Sequence, residues 1–479
     1  MRSIYMYFLL LLLLVNCRKG ELWSPEKASQ EYLKANPSKA EIQAGVQTPQ
    51  PRNDSIPPKM IYLDNGIIKL GVDINMGGAV TYLSPSKNEK NVINNWAIGR
   101  QVGMSFYGSP VPYSVGSNGP AKGWEHTGWN PVQTGDLYGN PSKTLDFKND
   151  GKTLYVKTLP LQWALWKEPC ECTMESWYEL DGNTVKVRNR INNNRQDRTF
   201  YTAHFQELPA VYTNAEQYRV ITYSGSRPFT NDPNLTSIDS KNGSYHFAAT
   251  ENWSALLQDD NWGLGIWKPD TYVHTGGFWG TPNVGGTYDF ATGYVAPVEN
   301  EIFDYNIQYD FSYVMILGTL SEIRNYAYTN SKTADRLPNY RFEKDRQHWY
   351  YTDGTKDTGF PINGALMVYM DQPLTELYGP WGYWRAAEVS KIYITAAFQT
   401  DKTTARLYWM REPQEKEFLV KRSITFKINP DGQYHTYELD VTTNPEWQDM
   451  ISRLMLAPID REKGTSGHWV KIKSISYKP

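Results

Sequence analysis

A chain of 479 residues with 49 Lys and Arg against 51 Asp and Glu has a formal net charge of -2, which argues for neither a basic surface toward nucleic acid nor a strong field toward an anionic membrane. That length allows two or three domains, each with its own core. Aromatic residues make up 14% of the chain, with 34 Tyr and 17 Trp against 16 Phe; Tyr and Trp join an apolar face to a polar edge, which suits the C–H faces and hydroxyl edges of sugars, while strand-forming preference accounts for part of the excess.

In chain order, Arg2 precedes an apolar run from Ile4 to Val15, shorter than the ~20 residues of a spanning helix and of the size of a signal-peptide core. It ends in Leu14-Val15-Asn16-Cys17, which resembles a bacterial lipobox. The resemblance implies a signal peptide over 1–16, lipidation at Cys17 and a place in the bacterial cell envelope, at the outer membrane, with the lipid anchor as the one membrane contact. Residues 17–58, with Pro49, Pro51, Pro57 and Pro58 among Gln and Asn, read as a tether too polar to fold.

From Lys59 the pattern becomes short alternating runs closed by Asn65-Gly66, Asp150-Gly151 and Asp181-Gly182, all hairpin signals. Cys170 and Cys172, two apart on a strand with geometry poor for a mutual disulfide, read as packing residues. Residues 59–328 predict one antiparallel β domain; a single sandwich takes ~100 residues, so this one is a large, many-stranded double sheet. Residues 329–339 read as a linker. Residues 340–479 carry a second strand pattern, through KIYITAAF, ARLYWM, SITFKI and YHTYELDV, of the size of a jelly-roll sandwich.

The densest candidate site is the stretch 201–229. A strand there puts His204 on a single face, Glu207 follows three residues on, and Pro209 is expected to end the pairing and turn the carboxylate into a cleft. His204 and Glu207 are the acid/base candidates, since a carboxyl among aromatics has its pKa raised by desolvation; the structural alternative is a buried hydrogen bond for each. Hydrolysis of a glycosidic bond needs a second carboxylate ~5–10 Å away, open among Glu125, Asp136, Asp259 and Asp260. Elimination from a uronate instead needs a Tyr or His base and an Arg, for which Arg100, Arg227 and His274 are available. Two Gly-rich loops supply further surface aromatics: Trp124, Glu125, His126 and Trp129 in one, His274, Phe278 and Trp279 in the other. Tyr107, Gln133 and Asp136 complete the substrate-binding set. His126, His204 and His274 form no local ligand pair, so neither a metal nor a cofactor is expected.

Several segments carry a resemblance to the galactose-mutarotase-like supersandwich family: GGAVTYL at 77–83, NVINNWAIGRQ at 91–101, GWNPVQTGD at 128–136 and HFQEL at 204–208. It spans about residues 59–328 and implies an all-β fold, a large antiparallel β-supersandwich ahead of the jelly-roll β-sandwich, with Arg100 as a ligand to sugar hydroxyls. Its C-terminal Glu base has two candidates, Glu299 and Glu301. The segment after 340 resembles the β-sandwich modules of secreted carbohydrate-active enzymes, in which Trp349, Tyr350, Trp381, Trp384, Trp409 and Trp447 could form a stacking platform. The expected partner is a polysaccharide or oligosaccharide. The expected activity is that of a glycoside hydrolase or polysaccharide lyase; the alternatives are a non-catalytic glycan-binding lipoprotein of an uptake system and an envelope scaffold.

Overall fold

In the computed structural model, which describes residues 46–479 apart from 54, 241, 412–414 and 416, the three Gly turn signals act locally. Gly66, Gly151 and Gly182 take φ of 79°, 86° and 58°, a region open to a residue without Cβ. Each closes a hairpin: Met60–Asp64 with Ile68–Asp73, Lys143–Asn149 with Thr153–Leu159, and Cys172–Asp181 with Thr184–Asn193. Cys17 lies outside the described residues.

The chain is all-β, built from antiparallel sheets. The first unit holds a nine-stranded sheet, a seven-stranded sheet and a three-stranded sheet of Met60–Asp64, Ile68–Asp73 and Ala79–Pro85. The seven run in space as Gly243–Ala248, Val273–Trp279, Thr292–Glu301, His204–Thr213, Gly103–Ser105, Pro131–Val132 and Leu161–Gln162. Side chains alternate across a strand, so one face of this sheet supplies Leu208, Val211 and Val295 to a core shared with Val187, Leu256 and Met315 of the nine-stranded sheet. Cys170 and Cys172 are buried in that core, their Sγ atoms 2.6 Å apart.

Pro209 does not end the pairing. Glu207 pairs with Val298 and Ser105, the register shifts at a bulge, and pairing resumes at Ala210 with Gly103 and Val211 with Val295. A bulge leaves a residue unpaired, which is where a residue without an N–H fits.

Two five-stranded sheets make the C-terminal unit. Trp349, Trp384, Trp409 and Trp447 belong to its core, and all are buried. This corrects the stacking platform expected from the sequence: alternation along their strands turns Trp384 and Trp409 inward, and Trp349 and Trp447, in connecting segments, pack into the same core. The outer face of the seven-stranded sheet is also covered. Tyr212, Tyr294, Ala296 and Val298 pack in one cluster with Tyr378, Trp381, Tyr408, Met410 and Met455, so the C-terminal unit is seated on that face.

Two connecting segments differ from their sequence reading. Residues 46–53 lie along the first unit, with Gln47 N–H donating to Lys122 O at 3.1 Å and Gln50 N–H to Leu137 O at 3.0 Å. A helix over Leu320–Asn330 runs into the expected linker. It was illegible because only Ile323 and Ala327 are buried in it, against Tyr223 and Trp253. Its start is a capping box: Thr319 Oγ1 accepts from Glu322 N–H, and the Glu322 carboxylate accepts from Thr319 N–H. Thr319→Ala is expected to lower stability by ~1 kcal/mol, read as a lower urea midpoint with unchanged far-ultraviolet circular dichroism.

Candidate functional site

Glu207 stands just before the bulge with its side chain on the outer face of the sheet. It is 7% exposed. Tyr294, from the neighbouring strand, donates to Glu207 Oε1 at 2.5 Å, and Tyr107 donates to Oε2 at 3.2 Å. Burial raises the Glu207 pKa, and these two phenol hydrogen bonds oppose the rise without cancelling it. Burial, with the Glu207 charge adding to it, puts the Tyr107 phenol well above its ordinary value. The result is a carboxyl group biased toward keeping its proton, with two hydroxyls against it.

A pocket of about 70 Å³ opens beside this group, walled by Arg100, Tyr107, Trp124, Trp163, Glu207 and Tyr212 and edged by Pro49. One water needs ~10–15 Å³, so the space admits several waters or the hydroxyl-bearing edge of one sugar ring. The Arg100 guanidinium sits against both Trp96 and Phe290, with its carbon 4.5 and 4.8 Å from the ring centroids, and donates to Phe290 O at 2.6 Å. Trp124 is fixed by its Nε1–H, which donates to Gln47 O at 2.6 Å. Among the described residues lining the pocket, Glu207 is the one carboxylate.

Four sequence candidates, Arg100, Tyr107, Trp124 and Glu207, thus meet around one space. The others do not. His204 is an odd number of positions from Glu207 and faces the opposite side of the sheet, where Nε2 is 3.2 Å from Ser109 Oγ and burial lowers its pKa to about 4. Trp129 is 1% exposed in the sandwich core, beside Tyr201 and Phe303. Gln133 is a strut, donating to Gly77 O and accepting from Met104 N–H. Asp136 closes a turn by accepting from Tyr138, Asn140 and Lys167 N–H groups. Glu125 is exposed and accepts from Gly123 N–H. Arg227 pairs with Asp232. His274 is fully buried against Ser254 Oγ at 2.9 Å, its pKa lowered to about 3 by burial first and by Lys268 second. Trp279 packs 6.0 Å from Tyr294, in the cluster under the C-terminal unit. Asp259 and Asp260 bond Tyr218 and Trp262 N–H respectively. Each of the polar residues among them already has a local hydrogen-bond or ion-pair partner.

Tyr294, Tyr212, Trp163 and Pro49 are not among the site residues named from the sequence, where Pro49 reads only as part of the tether. Tyr294 reaches Glu207 only because its strand pairs beside the 204–213 strand in this register, and the one available signal was two tyrosines facing each other across strands, Tyr212 and Tyr294.

Glu299 and Glu301 also face away from the pocket, since Gln206 and His204, their cross-strand partners, share their side of the sheet. Glu299 is 2% exposed, and burial above all lifts its pKa to about 7. A carboxyl raised on folding contributes stability that is fully present below its unfolded pKa and lost as pH rises through the folded value. Glu299→Gln is therefore expected to leave the urea midpoint unchanged near pH 4 and to raise stability by ~3 kcal/mol at pH 8.5; an equal shift at both pH values would refute this.

No family model and no curated protein matches the chain. Solved structures match about half of it. A galactose mutarotase-like protein from Lactobacillus casei aligns at 11% identity and a TM-score of 0.35, over 54% of this chain and 100% of that one. A galactose mutarotase related enzyme from Lactobacillus acidophilus aligns at 10% and 0.36, over 54% and 97%. An α-galactosidase from Lactobacillus brevis aligns at 9% and 0.34, over 56% and 40%.

Proposed function

We propose that this chain is a carbohydrate-active enzyme that transfers a proton to or from one sugar residue, with Glu207 as the acid/base group. The observation that carries the reading is a buried carboxyl of raised pKa, bonded by Tyr107 and Tyr294, at the wall of a pocket that admits the hydroxyl-bearing edge of one sugar ring. General catalysis needs such a group near the working pH. Arg100 and Trp124 add a cation and an aromatic face, the pair of contacts that fixes a sugar's hydroxyl edge and its C–H face. In this reading the protein is held at the envelope by the lipid on Cys17 and meets polysaccharide outside the cytoplasm.

A hydrolase with paired carboxylates fits less well than single-carboxyl chemistry, elimination or anomer exchange, because the described wall holds one carboxylate. The same fact favours the second reading, a glycan-binding protein without turnover. The test is to incubate the soluble protein from Arg18 onward with plant and algal polysaccharides and free sugars. Reducing ends, ultraviolet absorbance of unsaturated uronates and anomer exchange by nuclear magnetic resonance are followed together. Reducing ends without absorbance indicate hydrolysis, both together elimination, and exchange alone anomerisation. Silence on all three, with a polysaccharide retained in a pull-down, replaces the enzyme by the binder.

A further inference from the structure

A second space lies between the two β units, away from Glu207, with a volume of about 1350 Å³. Half-buried aromatic residues line it on both sides, Tyr309 from the first unit and Tyr340 and Phe360 from the second, with Phe311 and Trp381 buried in the same wall. We propose that this cavity is a second carbohydrate site, taking several rings of a neutral oligosaccharide, with His348 and Asp270 as its hydroxyl-reading pair; it rests on the reading that the chain handles glycans.

The polar part of the wall is organised around His348. Its Nδ1 is paired with Glu301, whose Oε1 also accepts from Tyr309 Oη at 2.8 Å. Burial works against a charged imidazole here, but the charge and hydrogen bond of Glu301 override it, with Glu299 and Asp270 adding to the effect, and lift the pKa to about 9. His348 is therefore an imidazolium whose Nε2–H is the remaining donor, 4.0 Å from Asp270 Oδ2. That gap is too wide for a direct hydrogen bond. It fits one hydroxyl ~2.8 Å from each group, accepting from Nε2–H and donating to the carboxylate, as only a group that is both donor and acceptor can. Gln347 and His348 both have positive φ, 50° and 61°, a conformation that side chains other than Gly rarely adopt and that clusters at functional sites. Asn306 Oδ1, in the same wall, is buried without a hydrogen-bond partner.

The charge pattern selects the ligand class. Lys268 is paired with Asp270, His348 with Glu301, and Arg346 with Asp304 and Asp357, so three of the wall's cations are already matched. Arg336 and Lys344 are outnumbered by Asp335, Glu343 and Asp345 on the same wall. A polyuronate would meet carboxylates here, whereas uncharged sugars stack on the rings and exchange hydroxyl hydrogen bonds.

The test titrates the full soluble protein with hexasaccharides of glucan, mannan, xylan and galactan, and with a hexauronate for comparison. Calorimetry and backbone hydrogen exchange are read together. The expected result is that a neutral hexasaccharide binds and slows exchange at 301–311 and 340–348, that His348→Gln weakens it ~10-fold or more, and that Glu207→Gln leaves this binding unchanged. Exchange in the unmodified protein keeps the test valid if His348→Gln fails to fold. Protection only around Pro49, Arg100 and Glu207 overturns the second site and leaves the Glu207 reading standing. Binding of the hexauronate alone, or of none of the five, also overturns it. Protection at 340–348 without any Glu207-dependent turnover sinks the enzyme reading instead.

Discussion

Glu207→Gln is expected to lower turnover at least ~100-fold, the lower range for removing a general acid or base, while glycan retention in a pull-down changes little. The amide keeps the volume of the carboxyl and still accepts from Tyr294, so the pocket walled by Arg100, Tyr107 and Trp124 survives; what is lost is the exchangeable proton. The pH profile of the unmodified protein says which direction the proton moves. Because burial lifts the Glu207 pKa, a donor role makes the rate fall as pH rises through that raised value, and an acceptor role makes it rise. Stability gives an independent readout with its own sign. A raised folded pKa means stabilisation lost toward high pH, so Glu207→Gln is expected to be at least as stable as the unmodified protein in alkali. A variant that keeps full turnover refutes the catalytic role; where turnover and near-ultraviolet circular dichroism are lost together the packing has gone, and Tyr294→Phe then replaces Glu207→Gln as the probe.

What the sequence made legible was local. Gly66, Gly151 and Gly182 each close a hairpin within a few residues, and their chemistry needs nothing from afar. HFQEL was legible as a strand because His204, Gln206 and Leu208 alternate with Phe205 and Glu207. The same alternation, applied strictly, would have separated His204 from Glu207, since three positions along a strand reverse the face. Arg100 beside Glu207 could be expected only through a family resemblance, since 107 positions separate them. The partners of Glu207 were hidden for a different reason. Tyr294 is 87 positions away and arrives through strand register, which the bulge at Pro209 resets. Trp129 shows the limit of reading loop aromatics as surface: its segment bridges to Gly108, and the ring is carried into the core. The C-terminal tryptophans show the limit for strands, where ring count does not reveal which face is turned inward.

Arg346 ties the two β units together through a buried ion-pair network. Its guanidinium bonds two carboxylates at once: Nη1 and Nη2 donate to Asp304 at 2.5 and 3.2 Å, and Nε and Nη2 donate to Asp357 at 2.5 and 2.8 Å. Asp304 belongs to the first β unit and Asp357 to the second, and the Arg346 and Asp304 side chains are 5% and 7% exposed with Asp357 at 0%. Arg346→Ala leaves two buried carboxylates facing each other without a cation, a loss of ~3–5 kcal/mol. Arg346→Lys is expected to recover only part of it, since a point charge cannot present the planar fork that meets two carboxylates. The pH dependence fixes the mechanism. Burial opposes ionisation of Asp357, but the charge and hydrogen bonds of Arg346 overcome it and hold its pKa below the ordinary value. That stabilisation is present above the unfolded carboxylate pKa of ~3.9 and is lost as pH falls through the folded value. The gap between Arg346→Ala and the unmodified protein is therefore expected to be full at pH 7 and to shrink below pH 4. Urea titrations followed by tryptophan fluorescence read it, because Trp349, Trp384, Trp409 and Trp447 sit in the core of the C-terminal unit. With the tie intact the two units should unfold in one transition; without it, the C-terminal signal should move to lower urea ahead of the rest. A midpoint shift that stays the same from pH 7 down to values well below pH 4 would mean that the guanidinium acts by packing alone, and that the hold between the units comes from the apolar cluster of Tyr294, Val298, Tyr378 and Met455.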